Sequence, residues 1–362
     1  MLFDNLEFPT GIAFGFGKMF INERAGRIRV VENGRLSPEP LATIPTETDG
    51  ERGLLGIAAP PDAADRAVYV FATDPGGDSN SMWRVPLDGD PPTAVVEGLP
   101  GSGYHDGGGV AFDRDGMLLV SNGEAHNSDL SQDPNALGGK VYRYTPAGDI
   151  PDDNPFPGSP ALSIGHRNPF GLTVDPVTGT PWVTENGPGS FDEINRIEAG
   201  RNYGWPVVSG PDCAAATGLD DCVDPAISYE DVIVPTGITF ALANAPAAVA
   251  GHLFFGAYGV PAIHELTLDE SRQEVVSDDL LASGESSIVA VAWGPNGLYY
   301  STTTAVKLIP FASSGAKSQK TPRPTPSPSP GDEGGGASTV GFALVIVVFL
   351  ALYAASRRRL TR

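Results

Sequence analysis

One strand–turn–strand pattern recurs six times along this chain, and such a repeat restricts the fold more than any composition does. The copies read GIAFGFGKMFINE from Gly11, LGIAAPPDAADRAVYVFAT from Leu55, GVAFDRDGMLLVSNGE from Gly109, GLTVDPVTGTPWVTENG from Gly171, GITFALANAPAAVAGHLFFGAYG from Gly237 and VAVAWGPNGLYYSTTT from Val289. Each has a short apolar strand, a turn built on Asp, Pro or Gly, and a second apolar strand. A spacing of about 45 to 65 residues suits a four-stranded blade with variable loops. The expectation is an all-β, six-bladed β-propeller, closed radially so that few strand edges are exposed. A β-sandwich is the alternative, and it does not account for equal motifs spread over the whole domain.

Composition agrees with this. The 45 glycines and 34 prolines are too many for a helix-rich protein. A formal net charge of −21 excludes a nucleic-acid binder, because phosphate contact needs a clustered basic surface, and the only such cluster sits at the extreme C-terminus. Cys213 and Cys222 lack the spacing of zinc or thioredoxin motifs. The expectation is one local disulfide, with two unpaired thiols as the alternative.

The pattern ends near Phe311, which sets the propeller at 1–311. Residues 312–338 are Pro/Ser/Thr-rich and then Gly-rich, a disordered linker that cannot bury a core. Residues 339–355, TVGFALVIVVFLALYAA, carry no charge, and SRRRLTR follows at 356–362. A stretch of about 17 apolar residues is the short end of a transmembrane helix, and the basic flank stays cytoplasmic, so the propeller is expected outside a membrane. This tail also resembles surface-sorting signals that are cleaved and re-anchored. The first residues, MLFDNLEFPTGIAFG, read as strand rather than as a signal peptide. Either the true start lies upstream or the C-terminal span inserts the protein; the domain reads as beginning mid-blade.

Candidate chemistry gathers in three stretches. In GYHDGGGV, glycines let a backbone or ligand approach His105, whose imidazole could take a proton from a hydroxyl. Glu124, at the far end of the same hairpin, could hold the other ring nitrogen. In GHRNPFGL, Arg167 offers a permanent planar charge to an anionic or electron-accepting ligand. In TENGPGSFDEIN, Asn186, Gly187 and Pro188 could turn carbonyls toward a hard cation, with Asp192 and Glu193 adding carboxylates that favour calcium. Each has a structural alternative: a loop histidine, a surface carboxylate, an arginine bonding carbonyls, an acidic loop without metal.

Taken together, GERGLLGIAAPPD, YHDGGGVAFDRDG, LGGKVYRYTPAGDIPDDNPF, GHRNPFGLTVDPVTG, TENGPGSFDEIN and NYGWP resemble the soluble glucose/sorbosone dehydrogenase family over residues 1 to about 310. These are six-bladed quinoproteins that use pyrroloquinoline quinone (PQQ). The resemblance implies that His105 removes the proton of a sugar C1 hydroxyl, supported by Glu124. It implies that Arg167 and Asn168 contact the quinone. Asn186 takes a position often Gln or His, and Glu51 stands where a neutral glutamine is common. Carbonyls of Gly187 and Pro188 match those holding the Ca2+ that polarises PQQ, and Glu193 matches a ligand of a second, structural Ca2+.

The sequence departs from that pattern where the family meets the PQQ carboxylates with basic residues. Tyr258, Ser287 and Val289 stand near those positions, with no lysine or arginine in the same stretches. Two main readings and a third follow. One is a membrane-displayed, PQQ- and Ca2+-dependent aldose dehydrogenase that oxidises sugar C1 to a lactone and passes electrons to an acceptor the sequence does not name. The other is a noncatalytic surface propeller that binds carbohydrate or protein. A third, a metal-dependent lactonase, draws on Glu51, Asn122 and Asn186.

Overall fold

The computed structural model describes residues 2–311 except 214, 215, 217, 220 and 285. The chain divides into two units, Met1–Ala316 and Lys317–Arg362. The expected linker, transmembrane segment and basic tail lie outside the described residues. Among the described residues no helix is long and apolar enough to cross a membrane.

Six antiparallel sheets follow one another in sequence, each ordered from its first strand outward, as a six-bladed propeller requires. The innermost strands are Pro9–Gly15, Leu54–Ala58, Val110–Phe112, Pro169–Val174, Pro235–Phe240 and Val291–Gly294. All six contribute residues to an axial channel of about 220 Å³. Burial decreases outward: Ala67–Thr73, second in blade 2, is buried along its whole length, whereas Val275–Ser283, at the outer edge of blade 5, is mostly exposed. Apolar residues on both faces of the inner strands are therefore needed, because each blade is packed from both sides.

The core consists of six clusters, one at each junction between consecutive blades. Ile28, Val68 and Val70 join blades 1 and 2; Tyr69, Phe71, Val120 and Tyr142 join 2 and 3. The ring closes where Ile12, Met19 and Ile21 of blade 1 meet Ala292, Tyr299 and Val306 of blade 6. Buried hydroxyls add ties from one blade to a carbonyl of the next. Thr10 reaches Leu54 at 2.5 Å, Ser121 reaches Pro169 at 2.7 Å and Thr184 reaches Thr236 at 2.6 Å. Thr236 reaches Ile288 at 2.9 Å, and Ser301 returns to Pro9 at 2.8 Å. A buried hydroxyl needs such a partner, so each tie also fixes the spacing of two blades.

The expectation of four strands per blade is corrected at the ring's join. Blade 1 has five strands and blade 6 has three. The N-terminal segment completes blade 6: Leu2 and Phe3 donate to the Val306 carbonyl, and Val306 donates back to Phe3. The first residues thus pair across the closure. Cys213 and Cys222 form the expected disulfide, with Cα atoms 5.4 Å apart.

Candidate active site

The loops at one end of the channel bring His105, Glu124 and Arg167 together. His105 follows the outer strand of blade 2 and precedes the inner strand of blade 3; Glu124 follows Leu118–Asn122, the second strand of blade 3. Gly123 makes their approach possible, because a Cβ there would stand 2.0 Å from the His105 carbonyl oxygen. His105 Nδ1 lies 2.6 Å from Glu124 Oε1, and Arg167 NH2 lies 2.8 Å from His105 Nε2. A guanidinium can only donate, so Nε2 is the accepting nitrogen, and the imidazole proton sits on Nδ1, donated to Glu124. Both ring nitrogens are thus engaged, Nδ1 by Glu124 and Nε2 by Arg167.

Arg167 is held on several sides. Its NH1 donates to the carbonyls of Asn186 at 2.8 Å and Gly187 at 2.9 Å, and its guanidinium lies 5.4 Å from the Trp205 ring centroid. Its backbone N–H donates to Glu185. Burial lowers its pKa, and the carboxylates of Glu124, Glu51, Glu185 and Asp192 oppose that shift, so the charge is retained. Beneath it, Glu185 accepts from His166 Nδ1 at 2.8 Å and Asn195 Nδ2 at 3.1 Å. His166 is buried, stacked on Tyr203 with ring centroids 4.7 Å apart.

Asn168 and Glu51 prove to be braces. Asn168 Oδ1 accepts from the Gly107 N–H at 3.1 Å while its Nδ2 donates to Glu51 at 3.2 Å. The same Glu51 oxygen accepts from the His105 N–H at 2.9 Å. The Gly-rich loop is therefore tied to blade 4 through Asn168 and to the loop carrying Glu51.

The expected calcium residues separate into different places. Gly187 and Pro188 lie in the turn after Pro181–Glu185, where the Gly187 carbonyl faces Arg167. Asp192 accepts from the N–H groups of Gly187, Ile233 and Val234, each at 2.8 Å, so it holds the turn rather than opening onto it. Burial raises its pKa. Glu193 points to the opposite face of its strand, pairs across to Glu185, and accepts from Asn195 and Gly210. Its pKa is raised by burial and then by Glu185. Among the described residues no group of three or more His, Cys, Asp or Glu side chains could hold a metal. The carbonyls of Asn186 and Gly187 are taken by Arg167, and Asn186 Oδ1 is left buried without a hydrogen-bond partner.

On the far side of the mouth, Tyr258 is half-buried and donates its N–H to Val234, Ser287 is half-buried, and Val289 is 3% exposed and part of the strand packing. Reading by segment missed Arg24 of blade 1. Its guanidinium donates to the carbonyls of Thr48, Gly50 and Arg52, and it lies within electrostatic reach of Glu51 and Tyr258. It brings a cation to this end of the ring from the opposite side. Glu185, His166 and Trp205 were missed as well, although all three flank motif residues already singled out.

The structure thus sets His105, backed by the buried Glu124 carboxylate and bonded by a fixed Arg167, at the mouth of a six-bladed propeller. The chain belongs to the glucose/sorbosone dehydrogenase family, whose model matches residues 6–308. It is similar to the aldose sugar dehydrogenase YliI of Escherichia coli, 30% identical over 332 residues that cover 84% of this chain and 89% of that protein. It is also similar to quinoprotein glucose dehydrogenase B of Acinetobacter calcoaceticus, 30% identical over 251 residues, 58% of this chain and 52% of that protein. Among solved structures, the PQQ-bound form of the aldose sugar dehydrogenase of Streptomyces coelicolor matches with a TM-score of 0.73 at 31% identity, over 83% of this chain and 90% of that one.

Proposed function

We propose that this protein oxidises the C1 hydroxyl of an aldose to a lactone with PQQ as the electron acceptor. The observation that carries the reading is the His105 pair of contacts, Glu124 on Nδ1 and Arg167 on Nε2, in a member of a sugar dehydrogenase family. PQQ supplies a two-electron acceptor for the C1 hydride when bound in the pocket. His105 Nε2 takes the hydroxyl proton once the substrate hydroxyl displaces the Arg167 N–H from it, and Glu124 stabilises the imidazolium that results. Arg167 presents a fixed positive charge where negative charge develops, at no cost in reorientation, because two carbonyls, Trp205 and Glu185 already hold it. The carbonyls of Gly187 and Pro188 are the proposed holders of Ca2+ at the cofactor, and Glu193 that of a structural Ca2+.

Display on the outer side of a membrane through 339–355 belongs to the same proposal. It is supported by the uncharged run before Arg357, Arg358 and Arg359 and by the disulfide, which suits an oxidising compartment. The neutral Tyr258, Ser287 and Val289 favour the second reading, a noncatalytic propeller that binds carbohydrate or protein. Adding PQQ and Ca2+ to the purified chain and following sugar-dependent reduction of a dye separates them. The dehydrogenase gives turnover that needs PQQ; absence of PQQ binding at micromolar concentration removes the reading.

A further inference from the structure

The proton collected by His105 has to leave, and its surroundings leave few routes. Nδ1 faces Glu124, whose side chain is 4% exposed. Nε2 faces Arg167, which accepts no proton. The nearby Glu51 oxygen already accepts from His105 N–H and Asn168. The other titratable group against the imidazole is His126.

The His126 ring meets His105 edge to face, with centroids 4.4 Å apart and planes at 80°. It stacks on Tyr104 at 5.5 Å and 14°. The residue is exposed at the mouth. Its placement requires unfavourable backbone: Ala125 and His126 have φ of 51° and 60°, and His105 itself has 60°. Left-handed conformations cost a residue with a side chain free energy and persist only where surrounding contacts impose them. Here the contacts are Ala125 N–H to the His105 carbonyl at 3.1 Å and Asn127 N–H to the Glu124 carbonyl at 2.9 Å. Lys140 pins the preceding stretch of blade 3 loop from within, donating to the carbonyls of Leu130, Ser131 and Gly138. The strained turn delivers a solvent-facing imidazole against the base.

We propose that His126 is the proton exit of this site, accepting the proton from the imidazolium of His105 and releasing it to water or buffer. The transfer leaves His105 neutral again, and it consumes no oxidant beyond the one that takes the hydride. The two rings touch with centroids 4.4 Å apart, and the transfer runs through a water at the exposed mouth. The charged and titratable groups around His126 are His105, Arg167, Glu124, Glu51 and Tyr104. Burial against the mouth, His105 and Arg167 lower its proton affinity, while Glu124 and Glu51 act the other way. The net effect lowers its proton affinity, so it passes the proton on to water.

This inference rests on the dehydrogenase reading, so the test has one arm without cofactor and one with it. In the full chain without PQQ, NMR titration of the imidazoles compares wild type with His126→Gln. The resonance that the variant lacks is His126, and it is expected to titrate below the ordinary histidine range because burial, His105 and Arg167 oppose its charge; a midpoint at or above that range overturns the proposal. With PQQ and sugar, His126→Gln and His126→Phe are assayed in low buffer and again with added imidazole. His126→Phe keeps an aromatic ring on Tyr104 and removes only the nitrogens. Both variants are expected to lose about tenfold in kcat in low buffer, with KM changed by less than about twofold, and to recover with imidazole. A His126→Phe chain that turns over at the wild-type rate in low buffer overturns the relay. A wild-type chain with no sugar-dependent dye reduction removes the dehydrogenase reading instead.

Discussion

The two sides of the mouth are built differently. On the side of blades 3 and 4, His105, Glu124, Arg167, Asn168 and Glu185 form one continuous hydrogen-bonded network, much of it buried. On the side of blades 5 and 6, Tyr258 and Ser287 are neutral and Val289 belongs to the core. The difference teaches that proton chemistry and cofactor grip are separable in this fold. Preorganisation of a base needs a dense local network within neighbouring blades, whereas holding a polyanion needs charges spread round the ring. Under the proposed function, this chain has the network of the first, and its cations at this end of the ring, Arg24 and Arg167, come from blades 1 and 4.

The largest expected effect falls on the network side. His105→Ala should lower kcat by about 10³-fold in PQQ-loaded chain while PQQ affinity, followed by absorbance titration, stays within about threefold. Equal loss of both would show that base and grip are not separable. Arg167→Lys comes next, because a point charge cannot bond the Asn186 and Gly187 carbonyls and His105 together. Turnover should fall about 10²-fold, and PQQ affinity should weaken in the same titration.

A stability measurement probes the floor of the same side. Asp106 is fully buried, beside Asn80 and the Ser102 N–H, and burial pushes its pKa up to about 6. A raised carboxyl means that the folded chain holds a proton which the unfolded chain has already lost between about pH 4 and 6. Its contribution is present in full below that window and is lost as pH rises through it, by on the order of 2 to 3 kcal/mol. Urea denaturation from pH 4 to 7 should show this fall, and Asp106→Asn should flatten it. The smallest effect belongs to the opposite side: Ser287→Arg should tighten PQQ binding by about threefold to tenfold and leave kcat unchanged. Unchanged PQQ affinity would place that residue away from the cofactor.

The propeller was legible because its six copies report one physical demand, an apolar inner hairpin packed on both faces. The join was less legible, since Leu2 and Phe3 complete a blade whose other strands lie about 300 residues away, and no local pattern signals such a partner. His105, Glu124 and Arg167 were legible as motif residues and come together. Glu185 and His166 were not, because a buried pair at strand ends reads in sequence like any strand terminus. Arg24 was not legible because it arrives from across the ring, far in sequence from the other residues of the mouth. His126 escaped because Ala125 and His126 adopt left-handed backbone without the glycine that normally announces it.

The hydroxyl ties carry a consequence for the order of assembly. Most join consecutive blades, but Ser301 to Pro9 spans 292 residues, while the His105 to Arg167 contact spans 62. Pairings of long sequence separation are closed late, because the entropy of the intervening chain must be surrendered first. An intermediate with its last join still open would already hold the base, its carboxylate and its arginine. Arg24 would reach Tyr258 only after closure, so the capacity to move a proton would precede the capacity to retain an anionic cofactor.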